Sequence, residues 1–415
     1  MRAGANGQGS NSVNVRLFNE RVILSALRRL GSASKADLAR HANLTNNTAG
    51  VIVRELEAQQ LIRTEGKRSG QRGQPATLLS LNAAGAHSIG VKVGRRSLDA
   101  ILVDFCGRVL EARRHERTFP LPEEAIALLL DEIAALRGLI PAPAARRLAG
   151  LGVATPYNMG SWRRELDIPS ATYAAWNDFP IAGRLAAGTG LAVFHENDGT
   201  AAAVAELFQG HGRELNDFLY VFIGTAIGGG VIINGHYYRG VSGNAGDIGL
   251  MPVPRSRLAT APEPTGPLDI LLTRASISSL IRHYRGSGVP IASGADLDAA
   301  LEDHPQRLAE WLEDCVDALV TPLLAATCVL DVPTIVLDGD LPGSVIEHLV
   351  ERLAAALAAA TPEARSAPEL RVGTVGRRAA AIGAAILPLH LNFSPNSGVL
   401  VGYRDGVTRE RNGGT

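Results

Sequence analysis

Three helix-length segments joined by very short connections occupy the first sixty residues, and few folds accept such a run. Val15 to Leu27 sets apolar residues at near-helical spacing and stops at Gly31. Ser34-Lys35-Ala36-Asp37-Leu38-Ala39-Arg40-His41 follows as a short second helix, with Ser34 as its N-cap and Leu38 and Ala39 facing inward. After the tight Ala42-Asn43-Leu44 connection, Thr45-Asn46-Asn47-Thr48 opens a third helix that runs through Val51 to Glu57. This is the spacing of a helix-turn-helix, whose second helix lies in the major groove with its N-terminal side chains at the base edges. Leu61 to Thr64 and Thr77 to Leu81 then flank a basic, Gly-rich loop and read as the two strands of a wing.

The residue types fit that geometry. Ser34, Lys35, Thr45, Asn46, Asn47 and Thr48 are hydrogen-bonding side chains at the helix ends that would meet DNA, and Arg54 suits a phosphate or a guanine. Gly50 would let the backbone come close. Lys67, Arg68 and Arg72 sit between glycines at the wing tip, which suits backbone phosphate or a narrow minor groove. The bland alternative for 45–48 is a capping cluster alone. Charge supports the DNA reading: residues 1–80 hold 12 Lys/Arg against 5 Asp/Glu, while the remainder holds 29 against 36, inside a formal net charge of zero.

The other 335 residues read as α/β. Ile89 to Gly94 and Leu98 to Asp104 form strands, Glu123 to Leu136 a helix, and Leu148 to Thr155 and Leu191 to Asp198 further strands, so polar groups collect at strand C-termini. Asn197 and Asp198 end a strand at the start of an Ala-rich helix, with side chains free for a ligand, or with Asp198 as a helix cap. Phe218 to Gly235 reads as a hairpin whose turn holds four glycines, either cradling phosphate or supplying positive φ; spacing alone favours the second. Trp176 reads as core and Asp178 as a cap for the next helix, and Ala299 to Cys328 as one long helical region before the strand Thr334 to Asp340. Cys106, Cys315 and Cys328 lie far apart among apolar neighbours, as buried reduced thiols do. No apolar run reaches the roughly 18 residues that span a bilayer, and the Gly/Ser/Asn-rich start has no signal-peptide core, so a cytoplasmic protein is expected.

His195 to Glu206 and Phe218 to Gly235, followed by Tyr238-Arg239-Gly240 and Gly246-Asp247-Ile248-Gly249, resemble the ROK family (repressors, open reading frames, kinases). The head resembles its xylose-repressor and N-acetylglucosamine-repressor branch, and the likeness runs from about Asn14 to about Phe393. It implies a winged helix-turn-helix followed by a two-lobed, actin-like, sugar-kinase-like body with a sugar cleft, assembled into homodimers or tetramers. The domains expected are a flexible start at 1–14, a DNA-binding head at 15–82, lobes at 83–205 and 206–395, and a tail at 396–415.

Departures from the family pattern bear on activity. Where ROK kinases read Asp-x-Gly-Gly-Thr, this chain has Lys92-Val93-Gly94-Arg95-Arg96, which replaces the acid and crowds the phosphate loop. Ala226 stands where the second phosphate turn has glycine. Asp198 matches the family's catalytic base and reads here as a sugar contact. Asp247 replaces the sugar-binding Glu, and Pro156-Tyr157 replaces the Pro-Gly of the cleft edge. Leu250 replaces the zinc-ligating His, and no cysteine follows in the zinc-loop region, so no metal site is expected. The resemblance thus implies a sugar set of Asn177, Asn197, Asp198, Asn244 and Asp247, no cofactor and no catalysis. The partners implied are operator double-stranded DNA, a sugar effector and a second copy of the chain. An active ROK sugar kinase bearing a DNA-binding head is the alternative, and a merely dimerising body a third.

Overall fold

The computed structural model describes residues 11–68, 76–117, 120–160, 174–263 and 266–400. These divide into two compact units, 1–155 with 178–196 and 381–415, and 156–177 with 197–380. The division falls at Asn197 rather than at 205/206, and the C-terminal segment returns to the first unit.

The first unit opens with the head. Helix α1 (Ser12–Leu30) is capped by the Asn11 side chain and ends at Gly31, whose φ of 74° suits glycine; Ser12 to Asn14, expected to be flexible, are helical. A short strand β1 (Ser32–Ser34), which the sequence reading missed, leads into α2 (Lys35–His41), and α3 (Asn46–Ala58) follows. The wing strands β2 (Ile62–Arg68) and β3 (Ala76–Leu81) join β1 in a sheet ordered β1-β3-β2. Ile23, Leu27, Leu38, Val53, Leu56 and Leu79 are all at most 1 % exposed, so one core holds the helices to the sheet. The wing tip between residues 69 and 75, with Arg72, lies outside the described residues.

Beyond the head, the unit carries a five-stranded sheet of order β6-β5-β4-β7-β8, made by β4 (His87–Val93), β5 (Ser97–Asp104), β6 (Val109–Glu116), β7 (Leu148–Thr155) and β8 (Val193–Asn197). Strands β4, β5 and β6 pair antiparallel, and β7 lies parallel to β4. Helices α4 (Pro122–Gly138), α5 (Ala142–Ala145) and α6 (Ile181–Thr189) accompany it. Asp178 does not cap α6: its φ is 55°, and Pro180 precedes the helix without a side-chain cap.

The second unit starts its regular structure with α7 (Asp198–Gln209) and has a sheet of order β11-β10-β9-β14-β15. Its strands are β9 (Phe218–Ile223), β10 (Ile227–Ile233), β11 (His236–Tyr238), β14 (Thr334–Gly339) and β15 (Glu369–Val372); β12 (Pro252–Val253) and β13 (Asp269–Ile270) form a separate pair. Helices α8 (Ile277–Gly286), α9 (Gly294–Asp303), α10 (Pro305–Leu330) and α11 (Gly343–Ala360) pack a core including Trp311, Leu319, Leu337 and Leu353. The helical region expected over 299–328 is made of two helices that meet at His304, where Pro305 opens the second. Cys315 is buried and Cys106 half-buried, but Cys328 is exposed; all three are free. Among the described residues no helix is long and apolar enough to cross a membrane.

The last described elements are α12 (Ala379–Phe393) and α13 (Ser397–Leu400). From Ala381 onward α12 belongs to the first unit, where Gly90 and Gly152 on β4 and β7 admit it at backbone distance. A Cβ on Gly152 would lie 1.7 Å from the Ala384 carbonyl oxygen, and one on Gly90 would lie 2.0 Å from the Ala385 nitrogen. Gly152→Ala should therefore lower stability by about 1–3 kcal/mol through overpacking, seen as a lower denaturant midpoint with an unchanged slope.

Candidate functional site

Helix α3 is set by its first turn. Thr45 is the N-cap: its Oγ1 accepts from the Thr48 N–H at 3.1 Å and lies 2.8 Å from the Thr48 hydroxyl. Ala49, Ile52, Val53 and Leu56 face the core, which leaves Asn46, Asn47, Thr48, Val51 and Arg54 exposed. Two carboxylates are held elsewhere, Glu55 in an ion pair with Arg16 of α1 and Glu57 as acceptor from the Thr64 hydroxyl at 3.2 Å. The exposed line thus carries amides, a hydroxyl and a guanidinium without an anion.

Lys35 is exposed at the start of α2, but Ser34 is not available as expected. Ser34 is 8 % exposed, and its hydroxyl both caps Asp37 N–H at 3.2 Å and donates to Asp37 Oδ2 at 2.8 Å. This capping box fixes the turn at the start of α2 and engages the Ser34 hydroxyl within the protein. Lys67 and Arg68 lie at the far end of β2. The sequence reading missed Val51, whose side chain is 37 % exposed between Asn47 and Arg54. Its spacing from both, four residues after one and three before the other, was the signal.

Within the first unit the head is tied to its surroundings by polar contacts. Arg21 Nη1 donates to the carbonyls of Leu391 at 3.1 Å and Ser394 at 3.3 Å near the end of α12. Asn14 Nδ2 donates to Leu400 O at 3.3 Å, and Arg147 donates to Ala84 O at 3.1 Å and to the Gln60 side chain. Phe105 meets Phe393 edge-on at 4.9 Å between ring centroids.

The second unit gathers the candidate ligand groups. The glycines expected in a hairpin turn are mostly inside β10: only Gly224 lies in the turn, and Gly228, Gly229 and Gly230 are paired with Phe222, Val221 and Tyr220. Their use is close approach. A Cβ on Gly199 would lie 2.7 Å from the Gly229 carbonyl oxygen, and one on Gly246, at φ 87°, 2.9 Å from Gly229 C and Gly230 Cα. The start of α7, which carries Asn197 and Asp198, and the 240–250 loop, which carries Asn244 and Asp247, therefore both rest on β10 backbone.

Each of these side chains has a defined state. Asn197 is the N-cap of α7: its Oδ1 accepts from Gly199 N–H at 2.8 Å and Thr200 N–H at 3.3 Å, so that oxygen is not free for a ligand. Asp198 is the first helical residue, half-buried, with Oδ1 accepting from Gly199 N–H at 2.9 Å. Asn244 Nδ2 donates to Asp247 Oδ2 at 2.7 Å. Burial pushes the Asp247 carboxyl above its ordinary value, and the Asn244 hydrogen bond acts in the opposite sense. Asn177 is exposed, donates its backbone N–H to Ala174, and shares no hydrogen bond with the other four among the described residues. Thr200, passed over in the sequence, is 1 % exposed with no hydrogen-bond partner for its hydroxyl among the described residues.

Around the β9–β10 turn several backbone amides are donated within the protein. Gly224 N–H goes to Ala226 O, Ile277 N–H to Gly224 O, Ser278 N–H to Thr225 O, and Asp340 N–H to Ile223 O. Asp338, 3 % exposed, accepts from Gly339 N–H at 2.8 Å, Tyr220 hydroxyl at 2.9 Å and Gly376 N–H at 3.0 Å. In the first unit, Gly94 N–H closes on Ser97 O at 2.9 Å around Arg95-Arg96, and Arg95 is buried. The Arg95-Arg96 turn itself supplies no carboxylate for a nucleotide's metal. Zinc is equally unsupported, since Leu250 has no donor atom and residues 252–269 contain neither His nor Cys.

A winged helix-turn-helix head followed by two α/β units, each on a five-stranded mixed sheet, is the class of protein these features define. The chain belongs to the ROK family, whose pattern matches residues 88–390. It is 27% identical to an uncharacterized protein, y4fQ, of Sinorhizobium fredii over 91% of this chain and 92% of that one. It is 28% identical to the xylose repressor of Bacillus spizizenii over 58% of this chain and 61% of that protein. In fold it is similar to a ROK family transcriptional regulator, a homolog of the E. coli MLC protein, with a TM-score of 0.65, 21% identity, and coverage of 94% of this chain and 100% of that one. A ROK family glucokinase from Streptomyces griseus gives a TM-score of 0.57 at 21% identity over 73% of this chain and 99% of that one.

Two outcomes follow. Gly50 sits inside α3, and a Cβ there would meet nothing within 4 Å. Gly50→Ala should stabilise the head by about 0.5–1 kcal/mol in thermal unfolding and yet weaken DNA binding in a titration, because only an outside surface needs the glycine. For Asp247, a folded pKa above the unfolded one adds stability at low pH that is lost as pH rises through the folded value. Asn244→Ala should raise that pKa further, which a carboxyl-carbon NMR titration reads directly, and move the loss to higher pH.

Proposed function

We propose that this chain is a sugar-responsive transcriptional regulator, a repressor of carbohydrate-utilisation genes whose kinase-like body senses a sugar without phosphorylating it. The observation that carries the reading is the exposed row of amides, a hydroxyl and a guanidinium on α3, whose neighbouring carboxylates are tied to Arg16 and Thr64. Asp198 and Asp247 remain as acceptors for sugar hydroxyls beside Asn244 and Asn197. The named xylose repressors among its relatives support the same reading.

In this mechanism a homo-oligomer sets two heads on the half-sites of a palindromic operator in the cytoplasm, with Lys35, Asn46, Asn47, Thr48, Arg54 and the basic wing against DNA. The sugar acts only through a difference in affinity between the DNA-binding state and the other. The groups gathered around β10 are the place where that difference arises.

One observation favours the kinase alternative: Asp198 keeps the position of the family's catalytic base. Sugar-dependent ATP turnover by the purified chain would establish it, and its absence is expected here. The regulator reading predicts that one compound from a panel of monosaccharides, sugar alcohols and phosphorylated sugars raises the melting temperature of the wild-type chain but not of Asp198→Ala or Asp247→Ala. The same compound should change operator affinity in a gel-shift titration. A panel that leaves melting temperature and DNA affinity untouched would remove the sensor role and leave a DNA-binding protein with an inert body.

A further inference from the structure

The exposed face of α3 contains one residue whose presence neither folding nor phosphate attraction explains. Asn47, Val51 and Arg54 follow one another at four- and three-residue spacing, so they form a single line along the helix. The buried line of the same helix, Ala49, Ile52, Val53 and Leu56, is complete without Val51. Gly50 lies beside it with open space around its Cα, and the nearest carboxylates, Glu55 and Glu57, are tied to Arg16 and Thr64. The result is an isolated branched aliphatic side chain, flanked by an amide and a guanidinium, on a helix the sequence and fold aim at the major groove.

Major-groove chemistry supplies one matching apolar feature. Adenine, guanine and cytosine present hydrogen-bonding groups there, whereas thymine adds a C5-methyl that an aliphatic side chain can cover. Amides pair with adenine and guanidinium groups with guanine, so the line reads as amide, methyl, cation in successive positions. We infer that Val51 is a specificity-determining residue that covers the C5-methyl of a thymine in each operator half-site. This rests on the DNA-binding reading and deepens it by stating the base chemistry of the partner.

The test uses the full-length chain. Duplexes that bind are first selected from a random-sequence pool, and each thymine of the selected site is then replaced in turn by deoxyuridine, which removes only the methyl. At one thymine per half-site the replacement should weaken wild-type binding about four-fold, the equivalent of one buried methylene-sized contact. Val51→Ala should bind the parent duplex about four-fold more weakly and show no further loss with deoxyuridine at that position, whereas Val51→Thr, which keeps a γ-methyl, should regain sensitivity to the replacement. The side chain lies outside the core line, and an unchanged melting temperature for both variants confirms that the comparison concerns binding. Equal affinity for every deoxyuridine duplex, or an undiminished loss in Val51→Ala, would overturn the assignment while leaving the head a DNA-binding domain. Failure of the pool to enrich any sequence would instead overturn the DNA-binding reading together with it.

Discussion

Backbone meets backbone without an intervening side chain at Gly199, Gly229 and Gly246, and the candidate ligand site exists because of it. A methyl at Gly199 or Gly246 would push the start of α7 or the 240–250 loop off β10, and the two Asx pairs would part. Glycine in a strand loses packing and costs conformational entropy. Three in succession at 228–230 make sense only where neighbouring segments use the vacated volume, and here Gly229 and Gly230 take both neighbours.

The same close packing engages several polar groups around the β9–β10 turn. Anion sites in α/β folds depend on amides that point outward and lack internal acceptors. Around the β9–β10 turn, carbonyls of Gly224 and Thr225 accept from the first residues of α8, and Asp338 accepts from Tyr220, Gly339 and Gly376. A buried carboxylate with three donors is satisfied, and the Tyr220 hydroxyl that serves it is driven well above its ordinary pKa by burial and by that charge.

The sequence made the head legible almost to the residue, because helix spacing, caps and Gly31 are local signals. It was less informative where one residue type serves two purposes. The Gly228 to Gly230 run reads as a turn from spacing, since nothing in the sequence says that α7 and the 240–250 loop pack on it. Asn197 and Asp198 are both good caps, and only the helix start decides that Asn197 caps and Asp198 does not. Ser34 was correctly placed as a cap, yet that role consumes the hydroxyl once assigned to DNA. The return of α12 to β4 and β7 joins segments more than two hundred residues apart, which apolar periodicity cannot reveal.

That return also bears on how a ligand could reach the head. The carbonyls that Arg21 uses, Leu391 and Ser394, belong to the end of the segment whose earlier turns are clamped on Gly90 and Gly152. The head is joined to the rest of the first unit by its covalent link at residues 82–87, by the C-terminal segment, and by Arg147, which donates to the Gln60 side chain, while Phe105 packs against Phe393. Several attachments restrict pivoting more than one flexible linker would. A change in the pose of this unit would therefore carry α3 with it.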